Sequence, residues 1–184
     1  MRNILILHGT NNSSRNNWFR WLGDSLQKKG WKVLVPDLPH AEKPSIGIYN
    51  QFLLDVGWEL NSQSVIVGHS SGAVATLGLL QNLPEHTIVD VAVLVGAFKD
   101  DLGNTQLTQL FEKPFDFEKI KRSAKRFVLI HSDNDPYCPL EHAEYLAEKL
   151  GGELLVKSGE AHFSISTAGE KYKEFPLLLE ILDA

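Results

Sequence analysis

The 184-residue sequence has one cysteine, so no internal disulfide can form and a reducing, cytoplasmic setting is the expected one. Positive charge is in deficit as well. The formal net charge is −5 and lysine and arginine are scattered along the chain, which excludes the basic footprint of a nucleic-acid binder. No apolar run approaches the roughly 18 residues of a membrane span. The opening stretch, a lone Arg2 before a short run ending in His8-Gly9, lacks the small-residue cleavage site of a signal peptide. H-E-x-x-H and C-x-x-C spacings are missing, as are histidine pairs at ligand spacing, so no metal is expected. Gly9-Thr10-Asn11 lacks the glycine spacing of a dinucleotide fingerprint, and no cofactor is expected either. Internal repeats and low-complexity tracts do not occur.

What remains is a chain with 43% apolar residues, enough for one substantial core, and a single domain over residues 1–184 is expected. Short runs rich in valine, isoleucine and leucine predict strands at Asn3–His8, Trp31–Val35, Ser64–Val67, Val89–Val95, Phe127–His131 and Glu153–Lys157. They are continuous rather than alternating, which suits strands buried on both faces of a parallel sheet. Helical stripes lie between them. Trp18, Trp21, Leu22 and Leu26 precede Gly30; Tyr49, Phe52, Leu53, Val56 and Leu60 follow Pro44; Leu140, Ala143, Leu146, Ala147 and Leu150 run from Pro139 to Gly151-Gly152. This alternation predicts a doubly wound α/β fold. Gly96–Arg126 is the one long stretch without an expected strand, and it carries Phe98, Leu102, Leu107, Leu110, Phe111, Phe115 and Phe117. It reads as a helix pair completing the core or as a small cap lining a pocket through Phe98, Leu107 and Phe111.

Gly68-His69-Ser70-Ser71-Gly72 spells G-x-S-x-G between the third apolar run and a small-residue helical stretch. The motif is weak by itself; strand, tight turn and helix in that order are what a nucleophile elbow requires. In open α/β sheets the chemistry lies past the carboxyl ends of the strands. Ser70 follows the third run, Asp133 and Asp135 the fifth, and His162 the sixth, giving the chain order Ser…Asp…His. An imidazole can take the serine proton, and a carboxylate fixes its tautomer. The Ser71 amide and an amide after the first strand, Thr10 with Asn11 as runner-up, are the candidate oxyanion donors. Asp133 reads as a turn residue, from aspartate's habit of bonding backbone two residues on. His69 reads as a neighbour that packs or hydrogen-bonds beside the elbow, His131 as structural, and Cys138 as a pocket-wall or helix-start residue.

Ile6-Leu7-His8-Gly9 with Asn17-Trp18-Phe19-Arg20-Trp21-Leu22, Pro36-Asp37-Leu38-Pro39, Phe115 through Lys125, Asp135-Pro136 and Ala161-His162-Phe163 together resemble the small bacterial YdeN-type serine hydrolases. These are relatives of the retinoblastoma-binding protein nine hydrolase within the α/β-hydrolase superfamily. Tyr137-Cys138-Pro139 departs from the family's more aliphatic run, at the expected pocket mouth. The resemblance covers nearly the whole chain and implies a compact α/β-hydrolase fold with a six-stranded sheet, order 2-1-3-4-5-6, and Asp135 as the triad acid. It implies a serine-hydrolase reaction more than a substrate; the substrates expected are small or medium acyl esters, with thioesters and amides open. The alternative it carries is a protein-interaction module on the same scaffold, binding an unidentified protein partner.

Overall fold

The computed structural model describes residues 1–183. Six parallel strands form one sheet in the order β2-β1-β3-β4-β5-β6. Strand β1 (Asn3–Leu7) is followed by helix α1 (Phe19–Lys28), β2 (Lys32–Leu34), α2 (Ile46–Val56), β3 (Ser64–His69), α3 (Ser71–Asn82) and β4 (Val89–Val95). Then come α4 (Phe117–Arg122), β5 (Ala124–Ser132), α5 (Leu140–Leu150), β6 (Glu153–Lys157), α6 (Ile165–Ala168) and α7 (Pro176–Asp183). The expected sheet order is the observed one.

Successive side chains of a strand face opposite ways, so each apolar run supplies two cores. Leu5, Leu7, Ile66, Ala92, Leu94 and Leu129 pack beneath α2, α3, α4 and α5. Ile4, Ile6, Val65, Val67, Val93 and Ile130 pack on the other face against Phe19, Leu22 and Leu26 of α1 and Leu178, Ile181 and Leu182 of α7. Helix α3 lies over the middle of the sheet and buries every residue from Ser71 to Leu80.

Local chemistry sets the helix ends. Gly151 adopts φ 62° and stops α5 where the Gly151-Gly152 pair predicts. Gly57, at φ 68°, ends α2 before Leu60, so the expected stripe is one turn too long and Val56 is exposed. The Asp116 carboxylate accepts from the Lys119 amide and caps α4.

The segment 96–126 is not strand-free, because β5 begins at Ala124, where Ala124 pairs with Val89 and Arg126 with Val91. The rest is an excursion with a short 3₁₀ turn at Thr108–Leu110 and then α4. Phe98, Leu107 and Leu110 close over Val74 of α3 and Cys138, with Leu102, Phe111 and Phe115 packed behind. Phe98 is 1% exposed, and its truncation to alanine would cost about 3–5 kcal/mol. Core completion and pocket lining are thus properties of the same side chains.

Register brings the functional loops to one edge. Leu7 pairs with Gly68, His69 with Val95, Val95 with Ile130 and Ser132 with Lys157. The chain segments leaving β1, β3, β4, β5 and β6 therefore start side by side.

Candidate active site

Ser70 sits between β3 and α3 with φ 57° and ψ −125°, a conformation that a non-glycine residue adopts only under constraint. The constraint is the close approach of backbones. A Cβ at Gly68 would collide with the Gly72 carbonyl, and one at Gly72 with the Leu7 and His8 carbonyls. The glycines let α3 start directly against β1 and β3, which leaves the serine at the tip of the turn. Among the described residues its hydroxyl has no hydrogen-bond partner, His162 included.

His162 Nδ1 donates to Asp135 Oδ2 at 2.6 Å. The other carboxylate oxygen accepts from the Tyr137 and Cys138 amides at 2.9 and 3.0 Å. Burial works to raise the Asp135 carboxyl, but the His162 bond and these amides outweigh it and hold it below the ordinary range. Gly96, at the end of β4, makes room for the pair: a Cβ there would stand 2.9 Å from His162 Cε1.

The acid-bearing loop holds the histidine loop residue by residue. Asp133 Oδ1 accepts from the Gly159 amide at 2.9 Å, Ser132 Oγ from Glu160 at 2.9 Å and Asn134 Oδ1 from Ala161 at 2.8 Å. Asp135 completes the series at the His162 ring. Asp133, expected to bond backbone two residues on, instead braces the other loop at Gly159; it is Asp135 that bonds the amide two residues on, at Tyr137, while facing the imidazole.

Ser70 and His162 line one cavity of about 620 Å³. The 96–126 excursion contributes Phe98, Leu102, Asn104, Gln106 and Leu107; the segments after β1, β5 and β6 contribute Thr10, Asn11, Asn12, Tyr137, Ser164 and Ser166. Phe111, expected in the lining, lies behind it with its ring 5.9 Å from that of Phe98. The amide and hydroxyl wall escaped the sequence reading, because no spacing marks polar loop residues that converge only in three dimensions. Thr10 Oγ1 donates to Ser71 Oγ at 2.9 Å, tying the loop after β1 to the start of α3. The Asn11 amide donates to Ala41 O at 3.0 Å, and among the described residues the Thr10 and Ser71 amides have no protein acceptor.

Three further histidines are buried nearby. His8 Nε2 accepts from the Leu38 amide at 2.9 Å, which places the ring proton on Nδ1, donated to Gly9 O at 2.9 Å. His69 Nε2 donates to His162 O, and His131 Nε2 to Cys138 O, both at 2.8 Å. Burial lowers all three, His69 to about 3. They are neutral in the folded protein but take up protons near pH 6.5 when unfolded. Stability is therefore complete above that value and is lost as pH falls, at up to about 1.4 kcal/mol per pH unit for each ring. The thermal midpoint is expected to be at least about 5 °C lower at pH 5 than at pH 7.5; a midpoint that is flat or rises on acidification would contradict neutral burial.

Asp135, Cys138 and His162 bring one potential ligand atom each within 4.8 Å of one another. Burial, then the Asp135 charge, push the Cys138 thiol well above its ordinary range, and the carboxylate and imidazole bind each other. These residues do not fit a preformed cation site, which needs a thiolate and free donors.

An α/β-hydrolase is the class this architecture defines, and comparison with known proteins narrows it. The chain belongs to the serine hydrolase family, whose model matches residues 4–183. It is 27% identical to the hydrolase YdeN of Bacillus subtilis over 182 residues, covering 98% of this chain and 94% of that one. It is 24% identical to the serine hydrolase RBBP9 of Rattus norvegicus over 159 residues, 85% and 83% of the two chains. The crystal structure of the Bacillus subtilis ydeN gene product superposes with a TM-score of 0.92 at 26% identity, covering 100% of this chain and 97% of that one. No helix among the described residues is long and apolar enough to cross a membrane.

Proposed function

We propose that the protein is a carboxyl-ester hydrolase working through Ser70, His162 and Asp135 and an acyl-enzyme intermediate. The observation that carries this reading is that His162, bonded to Asp135 at 2.6 Å, lines the same cavity as the strained Ser70. Asp135 keeps the imidazole proton on Nδ1, so Nε2 is free to accept the Ser70 proton as Oγ attacks the ester carbonyl. The developing oxyanion is held by the Ser71 and Thr10 amides, the runner-up Asn11 amide being engaged by Ala41. His162 then gives its proton to the departing alkoxide, and water, deprotonated by the same Nε2, releases the acid. The chain acts as one domain, with 96–126 as a cap whose Phe98 and Leu107 contact the acyl group. A binding scaffold with vestigial activity is the weaker reading, since scaffolding needs no carboxylate buried against an imidazole.

Among the described residues, the cavity wall contains no lysine, arginine, aspartate or glutamate. A charged leaving group would lose hydration there without a counter-ion. Esters with apolar acyl chains and neutral, polar alcohols are the expected substrates. In a matrix of acyl length against leaving-group charge, anionic leaving groups should lower kcat/KM at least ~10-fold against neutral ones of similar size, about 1.4 kcal/mol of lost transition-state binding. Preference for the anionic series would refute the neutral-pocket argument, and absence of turnover for every ester would refute the esterase.

A further inference from the structure

His162 is flanked by two residues in the left-handed region, Ala161 at φ 48° and Phe163 at φ 51°. Neither is glycine, and for a bulky side chain such as Phe163 this backbone is unfavourable unless its surroundings impose it. The amide side of the loop is held by the residues after β5. Its carbonyl side is held separately. His69 Nε2 donates to the His162 carbonyl at 2.8 Å, and Trp18 Nε1 donates to the Phe163 carbonyl at 3.0 Å.

The two donors come from different elements. His69 immediately precedes Ser70 at the end of β3, and Trp18 precedes α1. Both side chains are buried, their rings 5.9 Å apart edge to face, and the His69 ring lies 4.8 Å from that of His162. A carbonyl can only accept, so His69 carries its proton on Nε2, and its Nδ1 has no partner among the described residues. The ring is oriented for this one bond.

We infer that His69 and Trp18 are positioning residues that clamp two successive carbonyls of the histidine loop and fix the His162 imidazole relative to Ser70. The inference rests on the reading of His162 as the base. Because His69 and Ser70 are neighbours on one strand end, the clamp ties the position of the base to that of the nucleophile. Displacement of a base by about 1 Å can cost on the order of 100-fold in rate.

Glutamine can place an N–H where His69 Nε2 stands, whereas asparagine reaches only the Nδ1 position. Phenylalanine at Trp18 keeps an aromatic ring and removes the donor. The test measures the rate of fluorophosphonate labelling, and kcat and KM on an ester that the wild type cleaves, for His69→Asn, His69→Gln and Trp18→Phe, with thermal midpoints alongside. His69→Asn and Trp18→Phe are expected to lower labelling rate and kcat roughly 10–100-fold with KM nearly unchanged. His69→Gln is expected within about threefold of wild type, since the donor is restored. Wild-type rates in folded His69→Asn and Trp18→Phe, or His69→Gln as slow as His69→Asn, would overturn the clamp. Trp18→Phe carries the test if His69→Asn does not fold. Ser70→Ala, run in parallel, separates the two levels: undiminished labelling of that variant refutes the catalytic reading itself, whereas lost labelling with unaffected clamp variants refutes only the clamp.

Discussion

Ser70→Ala is expected to abolish covalent labelling by a fluorophosphonate and to lower ester turnover at least ~10³-fold, while the thermal midpoint stays at the wild-type value. The separation of activity from stability follows from the elbow. The Ser70 hydroxyl has no hydrogen-bond partner among the described residues, so its removal leaves no buried group unsatisfied. Alanine at φ 57° meets the same backbone constraint as serine, so the turn itself is unchanged. Labelling of the variant equal to wild type would remove Ser70 as the nucleophile.

Asp135→Asn should be nearly as severe, on the order of 10³–10⁴-fold in turnover. The surroundings dictate how asparagine would sit. The Tyr137 and Cys138 amides donate to one carboxylate oxygen, so the amide oxygen of asparagine must take that place and its NH₂ must face His162. An NH₂ group demands an acceptor at Nδ1, which moves the imidazole proton to Nε2 and leaves nothing to receive the serine proton. Asp133→Asn keeps an acceptor for the Gly159 amide at an exposed site and should cost roughly tenfold or less. The reverse ranking of the two variants, measured as kcat on one ester, would show the acid to be elsewhere.

Buried parallel strands announce themselves, since continuous aliphatic runs are what two covered faces require. The four central strands β1, β3, β4 and β5 were legible for that reason, whereas the edge strands β2 and β6 carry similar aliphatic runs but are only partly buried, against the expectation of two covered faces. Strand ends were less legible. Strand β3 continues through Gly68 and His69, which pair with Leu94 and Val95, although neither residue is aliphatic. Strand β5 starts three residues before its apolar run, with the Lys125 ammonium reaching Asp90 at 2.8 Å. Strand β2 spans only Lys32–Leu34, because at the sheet edge it pairs with Asn3, Ile4 and Leu5 alone. As candidates, Ser70, Asp135 and His162 were legible because strand ends concentrate function in such sheets and because the order of the three residues is informative. The grip of His69 and Trp18 on the histidine loop was not. Its acceptors are main-chain carbonyls, which no residue type encodes, and its geometry depends on left-handed turns at an alanine and a phenylalanine where only glycine would have signalled them.

The pairing of Ser132–Asp135 with Gly159–His162 also bears on how such a protein can diversify. Surface loops ordinarily drift in length with little penalty. Here an inserted or deleted residue in either loop would put four donor–acceptor pairs out of step at once, so the two loops can change only together. Evolutionary freedom is left to the excursion between β4 and β5, which lines the cavity without being tied into that set of bonds. New substrate preferences in this lineage would then arise by remodelling the roof of the cavity while Asp135 and His162 beneath it keep their spacing.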